Sequence, residues 1–291
     1  MRVGIGIPNA VPGVDAASVV PWSREAEAAG FASLGVVDRI RYDGLEPLTT
    51  LGAAAGATSF IGLVTMVVIG PLRTTAVLAK QAAALDSVSG GRFVLGLAVG
   101  ARTEDYAALD VPSRGRGNRL ADQLVELRRC FETDGFGPLA SPNGPPLLVG
   151  GTSDVTFERI ARSADGYVHG GGPVRTFTRA AEKTRKAWAD HGRIGRPSLW
   201  AQAYFALGGE EASAAGRSYL LDYYSFTGPF ARTIAAALLD TPQAVVSYLR
   251  SYAQAGCDEL VLLPATAGLD QVERLAEVVA ENHDVLLEAA G

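Results

Sequence analysis

Short apolar runs alternate with longer amphipathic stretches along almost the whole chain. Runs of a few apolar or β-branched residues bounded by turn residues read as strands. Stretches of ten or more with apolar positions three and four apart read as helices. This predicts strands at 2–8, 32–38, 61–69, 93–99, 147–149, 166–169, 199–207 and 259–263. Helices are predicted at 16–29, 45–57, 73–88, 119–132, 155–163, 175–191, 241–255 and 269–287. Helical segments also fill 211–239, broken at Thr227-Gly228-Pro229, and a polar loop spans 101–118. Asp15 and Thr241 are N-cap candidates, Pro242 sits where a helix tolerates proline, and Gly30 and Gly90-Gly91 are stop signals.

Strand-then-helix units with near-continuous apolar strands imply a parallel sheet covered on both faces. About eight such units point to closure into a (β/α)₈ TIM barrel, and 291 residues suit one such domain over 1–291. The competing architecture is an open doubly wound sheet. Its glycine fingerprint is incomplete here: Gly4-Ile5-Gly6-Ile7-Pro8-Asn9 lacks the third glycine and places Pro where the helix would begin. No internal repeat or low-complexity stretch is visible.

The formal net charge is -5, and the 26 Lys and Arg are scattered rather than clustered, which argues against a nucleic-acid partner. The most apolar stretch, 60–72, is too short to span a bilayer. The start, Met-Arg-Val-Gly-Ile-Gly, has no signal-peptide character. Cys130 and Cys257 make no disulfide framework and read as small packing residues. The expectation is a cytoplasmic protein with no membrane segment.

In such a barrel, chemistry sits at the C-terminal ends of the strands. Those ends carry Pro8-Asn9, Asp38-Arg39, Ile69-Gly70-Pro71, Val99-Gly100, Gly150-Gly151-Thr152-Ser153 and His169-Gly170-Gly171-Gly172. No HExxH, HxH or Cys/His cluster suggests a metal site, and no GxSxG elbow appears. Glycine dominates instead. Gly150-Gly151-Thr152-Ser153 suits an anion, because bare backbone N–H groups and a helix N-terminus converge there; equally, its glycines serve a tight turn. Phosphate holders without acid–base groups suit a cofactor that carries the reaction itself.

The stretch Pro71-Leu72-Arg73, then Leu78-Ala79-Lys80-Gln81 through Leu85-Asp86-Ser87-Val88-Ser89-Gly90-Gly91-Arg92-Phe93, resembles the signature of the bacterial-luciferase-like monooxygenase superfamily. Glu27-Ala28-Ala29-Gly30-Phe31, Glu104-Asp105-Tyr106, Pro146 to Gly151 and Ala164-Asp165-Gly166-Tyr167 agree in order, as does the ending at Thr241-Pro242 and Ala255-Gly256-Cys257-Asp258. The resemblance implies a barrel, often a homodimer, that uses the deazaflavin F420 or FMN on a small-molecule substrate. An FMN-using member would take reduced flavin from a separate reductase. A third possibility is a barrel that binds a flavin without turnover.

By the same resemblance, Gly150, Gly151 and Thr152 form the phosphate-side turn, and Gly170 and Gly171 the next loop. Val68, Ile69 and Gly70 support the ring system, with a non-prolyl cis peptide expected there. Val99 and Gly100 join the cofactor wall. Asp38 matches an acidic residue that many relatives follow with a proton-transferring His. Here Arg39 follows, and an Arg holds an anion but is no base at neutral pH. Ala101 replaces the glutamate of sugar-phosphate dehydrogenase relatives, so both changes point away from that subgroup. His169 is the one histidine at a strand end, a candidate proton donor or a wall residue with a satisfied ring. The aromatic stretch 219–234 suits a lid, a dimer contact or plain helix packing. F420 is preferred over FMN because the chain is compact and its Ala- and Gly-rich composition is typical of organisms rich in F420.

Overall fold

In a computed structural model that describes residues 1–133 and 135–282, all strands run parallel and close on themselves. They are β1 (Arg2–Gly6), β2 (Ser33–Val36), β3 (Gly62–Thr65), β4 (Val68–Ile69), β5 (Phe93–Ala98), β6 (Leu147–Gly150), β7 (Gly166–His169), β8 (Ser198–Phe205) and β9 (Glu259–Pro264). The third expected strand is split. β3 pairs with β2 and β5, and β4 continues along β5, so the two share one of eight positions in the barrel wall.

The helices around the barrel are α1 (Val19–Ala28), α2 (Pro47–Ala57), α3 (Thr75–Ser89), α4 (Thr103–Ala108), α5 (Arg116–Glu132), α6 (Asp154–Ser163), α7 (Val174–Asp190), α8 (Glu210–Tyr223), α9 (Phe230–Ala236), α10 (Pro242–Gln254) and α11 (Asp270–Glu281). Thr241 caps α10 by accepting from the Ala244 N–H at 3.2 Å, with Pro242 at the first position, as expected. Gly90 ends α3 with φ +67°, a left-handed conformation that glycine adopts freely. Within the stretch expected as a polar loop over 101–118, Glu104, Asp105 and Tyr106 read as the start of a short helix, and α4 forms there with Tyr106 buried; the first turn of α5 also falls inside the stretch. The last helix, expected over 269–287, is α11 as far as Glu281, and its expected stretch from 283 to 287 lies outside the described residues.

Alternation along the strands sorts side chains into two cores. Leu34, Leu63, Leu97, Tyr167, Leu199 and Leu262 face the helices. Val64, Met66, Leu148, Val168, Trp200 and Val261 fill the barrel interior, together with residues of α8. Bulk on one strand is matched by glycine two strands away: a Cβ at Gly35 on β2 would lie 2.6 Å from Val261 on β9. Both cysteines are buried and free. No helix among the described residues is long and apolar enough to cross a membrane.

Candidate active site

At the C-terminal end of the barrel a cavity of about 170 Å³ opens between Ile69, Gly100, Arg102, Gln202, Tyr204 and Tyr224. Beside it, an apolar cavity of about 250 Å³ lies between Gly170–Pro173, Ala203, Tyr204, Tyr224, Phe230 and Ile234. Tyr204 and Tyr224 wall both cavities, and their hydroxyls are 3.1 Å apart. Burial raises the pKa of both phenols, so they stay neutral.

The floor of the first cavity comes from the break between β3 and β4. Met66 and Val67 both pack against the interior core, which breaks the strand's alternation, and Val68 turns back to the outer core. The non-prolyl cis peptide lies here, at Met66–Val67. It was expected at 68–70, where the bonds are trans. Of the three residues assigned to the ring support, only Ile69 lines the cavity. Val68 faces the helices, and Gly70 packs where a Cβ would meet Gln123 at 2.3 Å. Just past the end of β5, Gly100 lines the cavity, while the Val99 carbonyl accepts from the Tyr106 hydroxyl at 2.5 Å.

Asp38 lies at the cavity wall but is already engaged. Its carboxylate accepts from the Ile69 N–H at 2.8 Å and from both ends of the Arg73 guanidinium at 2.6 and 3.0 Å. Its geometry is that of a brace between β2, β4 and the start of α3. Arg39 does not line the cavity. It pairs with Glu104, lies 4.2 Å from the Tyr42 ring centroid and donates to the Tyr223 carbonyl at 3.4 Å. Arg102 donates to the same carbonyl at 2.7 Å. Two arginines therefore hold the C-terminal end of α8, where a helix favours cations. They fix the turn carrying Tyr224 and Phe226 over the mouth. Arg116 instead opens α5 near the Tyr106 ring, and the Arg114 carbonyl accepts from Arg119.

His169 turns away from both cavities. Strand alternation puts Val168 inside and therefore Tyr167 and His169 outside, among Phe177 and Tyr252. The Thr176 hydroxyl gives its proton to the Pro173 carbonyl at 2.6 Å, so it accepts from His169 Nε2–H at 3.1 Å. Nδ1 then accepts from the Tyr167 hydroxyl at 3.0 Å. Burial pushes the imidazole pKa down to about 4. Both nitrogens are spent and the ring is neutral, so the geometry fits the satisfied wall residue, not the proton donor.

The glycine turns lie at the same end of the barrel. Gly151 has φ +144°, and a Cβ there would meet Thr156 Oγ1 at 2.7 Å, so the turn requires glycine. The Thr152 and Ser153 N–H groups find no backbone acceptor among the described residues and precede the N-terminus of α6. Asp154, which opens that helix, is neutralised by Lys183 at 2.6 Å. At the next turn, Gly170 and Gly171 line the apolar cavity. Gly172 is held by Tyr248, whose hydroxyl donates to its carbonyl at 2.9 Å. The residues present thus fit a phosphate-bearing ring cofactor: N–H donors without a backbone acceptor at one turn, and an aromatic-walled space at the same end of the barrel. Gln202 was missed in the sequence. It faces inward between Trp200 and Tyr204, is 7% exposed, and its Oε1 has no partner. Among the described residues no cluster of three or more His, Cys, Asp or Glu could hold a metal.

Comparison with known proteins adds the family. The family model for luciferase-like monooxygenases matches residues 1–257. The uncharacterized protein Rv0940c of Mycobacterium tuberculosis is 30% identical over 210 residues, covering 60% of this chain and 72% of that protein. A second uncharacterized protein of that organism, Rv0953c, is 29% identical over 195 residues, covering 62% and 69%. Among solved structures, monooxygenase RslO1 from Streptomyces bottropensis superposes with TM-score 0.79 at 20% identity, covering 97% of this chain and 98% of that one. An F420-dependent secondary alcohol dehydrogenase, solved with an F420-acetone adduct, gives 0.78 at 14% identity with full coverage of both.

Proposed function

The chain belongs to the luciferase-like monooxygenase family, and from that premise we propose that it is an F420-dependent oxidoreductase that moves hydride between the deazaflavin and a small organic substrate. The observation that carries this reading is the pairing of the Gly151–Ser153 turn, with two free N–H donors, and an aromatic-walled mouth at the same barrel end. F420 would supply a hydride-accepting ring. The chain's residues supply the rest. Thr152 and Ser153 would hold the phosphate, and Met66, Val67 and Ile69, which line the first cavity, would support the ring. Gln202 offers its carboxamide to a polar ring edge or to substrate. Tyr224 and Phe226, fixed by Arg39 and Arg102, shut water from the reacting atoms.

A second reading, an FMN-dependent monooxygenase supplied with reduced flavin by a separate reductase, is favoured by that same aromatic cover, because oxygen chemistry needs a dry pocket. A homodimer in the cytoplasm completes the proposal. Parallel titration of the purified protein with F420 and FMN tests it. Tight F420 binding with weak FMN binding supports the first reading, and the reverse supports the second. Turnover with any acceptor excludes a barrel that only binds; affinity for neither cofactor would sink every version.

A further inference from the structure

Three arginines meet the mouth of the barrel, and two have a carboxylate partner. Arg73 is paired with Asp38, and Arg39 with Glu104. Arg102 is 7% exposed and lines the cavity, yet no carboxylate among the described residues lies within 4 Å of it. Its Nη2 donates to the Tyr223 carbonyl, and its Nε is buried without any acceptor. The rings of Tyr223 and Phe226 lie 4.2 and 4.5 Å from its guanidinium carbon. Ring faces offset part of the cost of burying a cation but do not replace a counter-ion. Across the same small cavity stands Gln202, with its own buried oxygen unpartnered.

We propose that Arg102 selects the substrate: the mouth takes a planar conjugated molecule bearing an anionic oxygen (a carboxylate, phenolate or enolate), and Arg102 is the counter-ion to that group. The proposal deepens the reading of the mouth as the active site and rests on it. The aromatic walls Tyr204, Tyr223, Tyr224 and Phe226 recognise the flat body of the molecule. Arg102 recognises its charge, with a fork suited to two oxygens. Gln202 meets a neutral polar edge. The anionic locus of a reduced ring cofactor has the same chemistry, so the test separates the two sources.

The probes are 2-naphthoate and its uncharged match, 2-naphthamide, titrated by calorimetry into the cofactor-free protein. If a cofactor is found to bind, the titrations are repeated with that cofactor bound. Wild type is expected to prefer the naphthoate by about tenfold or more. Arg102→Gln should erase that preference while leaving naphthamide within about twofold. Arg102→Lys should keep part of it. Arg39→Gln loosens the same lid but leaves the cavity charge in place, so it should keep the preference. Equal affinity for the two probes in wild type, no naphthoate binding at millimolar concentration, or equal effects of Arg39→Gln and Arg102→Gln on both probes would each overturn the proposal. So would an Arg102→Gln effect confined to the ratio of reduced to oxidised FMN affinity, because the charge would then serve the cofactor. None of these outcomes depends on which cofactor is native, so failure here is distinct from failure of the cofactor titration.

Discussion

The two ends of the barrel use polar groups differently. At the N-terminal end several are closed into networks, although Ser33 Oγ and Glu259 Oε1 are buried there without a partner. Arg92 donates to the carbonyls of Ala55, Thr58, Ile61 and Ser89 and to the Thr58 hydroxyl. Asp86 accepts from the N–H groups of Ala140 and Ser141 and from the Ser141 hydroxyl at 2.6–2.8 Å. One carboxylate oxygen of Glu27 accepts from three successive N–H groups, at Ser59, Phe60 and Ile61. At the C-terminal end, Arg102 Nε, Gln202 Oε1 and the Thr152 and Ser153 N–H groups are left without such partners. Arg102 and Gln202 are buried, and a buried polar group without a partner costs about 1–3 kcal/mol, whereas Thr152 and Ser153 are exposed to water. The networks at one end hold the fold, and the other end leaves Arg102 and Gln202 unpaired at its cavity.

The largest expected effect breaks the closed end. Arg92→Ala strands several carbonyls and should lower unfolding stability by about 3 kcal/mol, measured by denaturant titration, with cofactor affinity of the folded fraction unchanged. A loss of affinity instead would mean that the two ends are not separable. The next effect places His169 on the structural side. Its folded pKa, about 4, lies below the ordinary 6.5. The unfolded chain therefore binds the proton first as pH falls. Stability is full above pH 6.5 and declines between 6.5 and about 4 by up to about 3 kcal/mol, with no further loss from this group below that. In His169→Gln that limb should flatten, and the cofactor affinity of wild type should persist at neutral pH. An unaltered limb would assign it to other groups.

At the open end, Gly151→Ala forces the turn away from Thr156 and should weaken cofactor binding about tenfold, or about 1.4 kcal/mol. Wild-type affinity in that variant would remove the turn from the binding site. The smallest effect concerns the lid. Glu104→Gln removes one half-exposed partner of Arg39 and should change stability by no more than about 0.5 kcal/mol. Faster amide exchange over 219–227 should accompany it if the pair helps hold the cover down, and no change would free the lid from Glu104.

These contrasts explain what the sequence revealed. The strands and most helices were legible because each buries a periodic face. The signature around Asp86 and Arg92 identified the family, although in the structure it braces the closed end and lines neither mouth cavity. His169 was readable in principle: Val168 is the inward residue of β7, so period-two alternation already turned the histidine outward. The same rule would have found Gln202, an inward polar residue between Trp200 and Tyr204 on β8. Arg102 was not legible. Its burial depends on Tyr223 and Phe226, more than a hundred residues away, and no local pattern encodes that approach. The break between β3 and β4 was not expected, and the cis peptide was placed at 68–70 rather than at Met66–Val67, because an apolar run does not show where alternation slips.

The partition between the two mouth cavities is made of side chains, not main chain: Tyr204 and Tyr224 meet through their hydroxyls, 3.1 Å apart, and edge to face, with ring centroids 5.9 Å apart. The size and shape of the two chambers therefore depend on the side chains at 204 and 224 rather than on the barrel backbone. A lineage could widen or narrow what it accepts through single exchanges near the end of α8, while every strand stayed where it is.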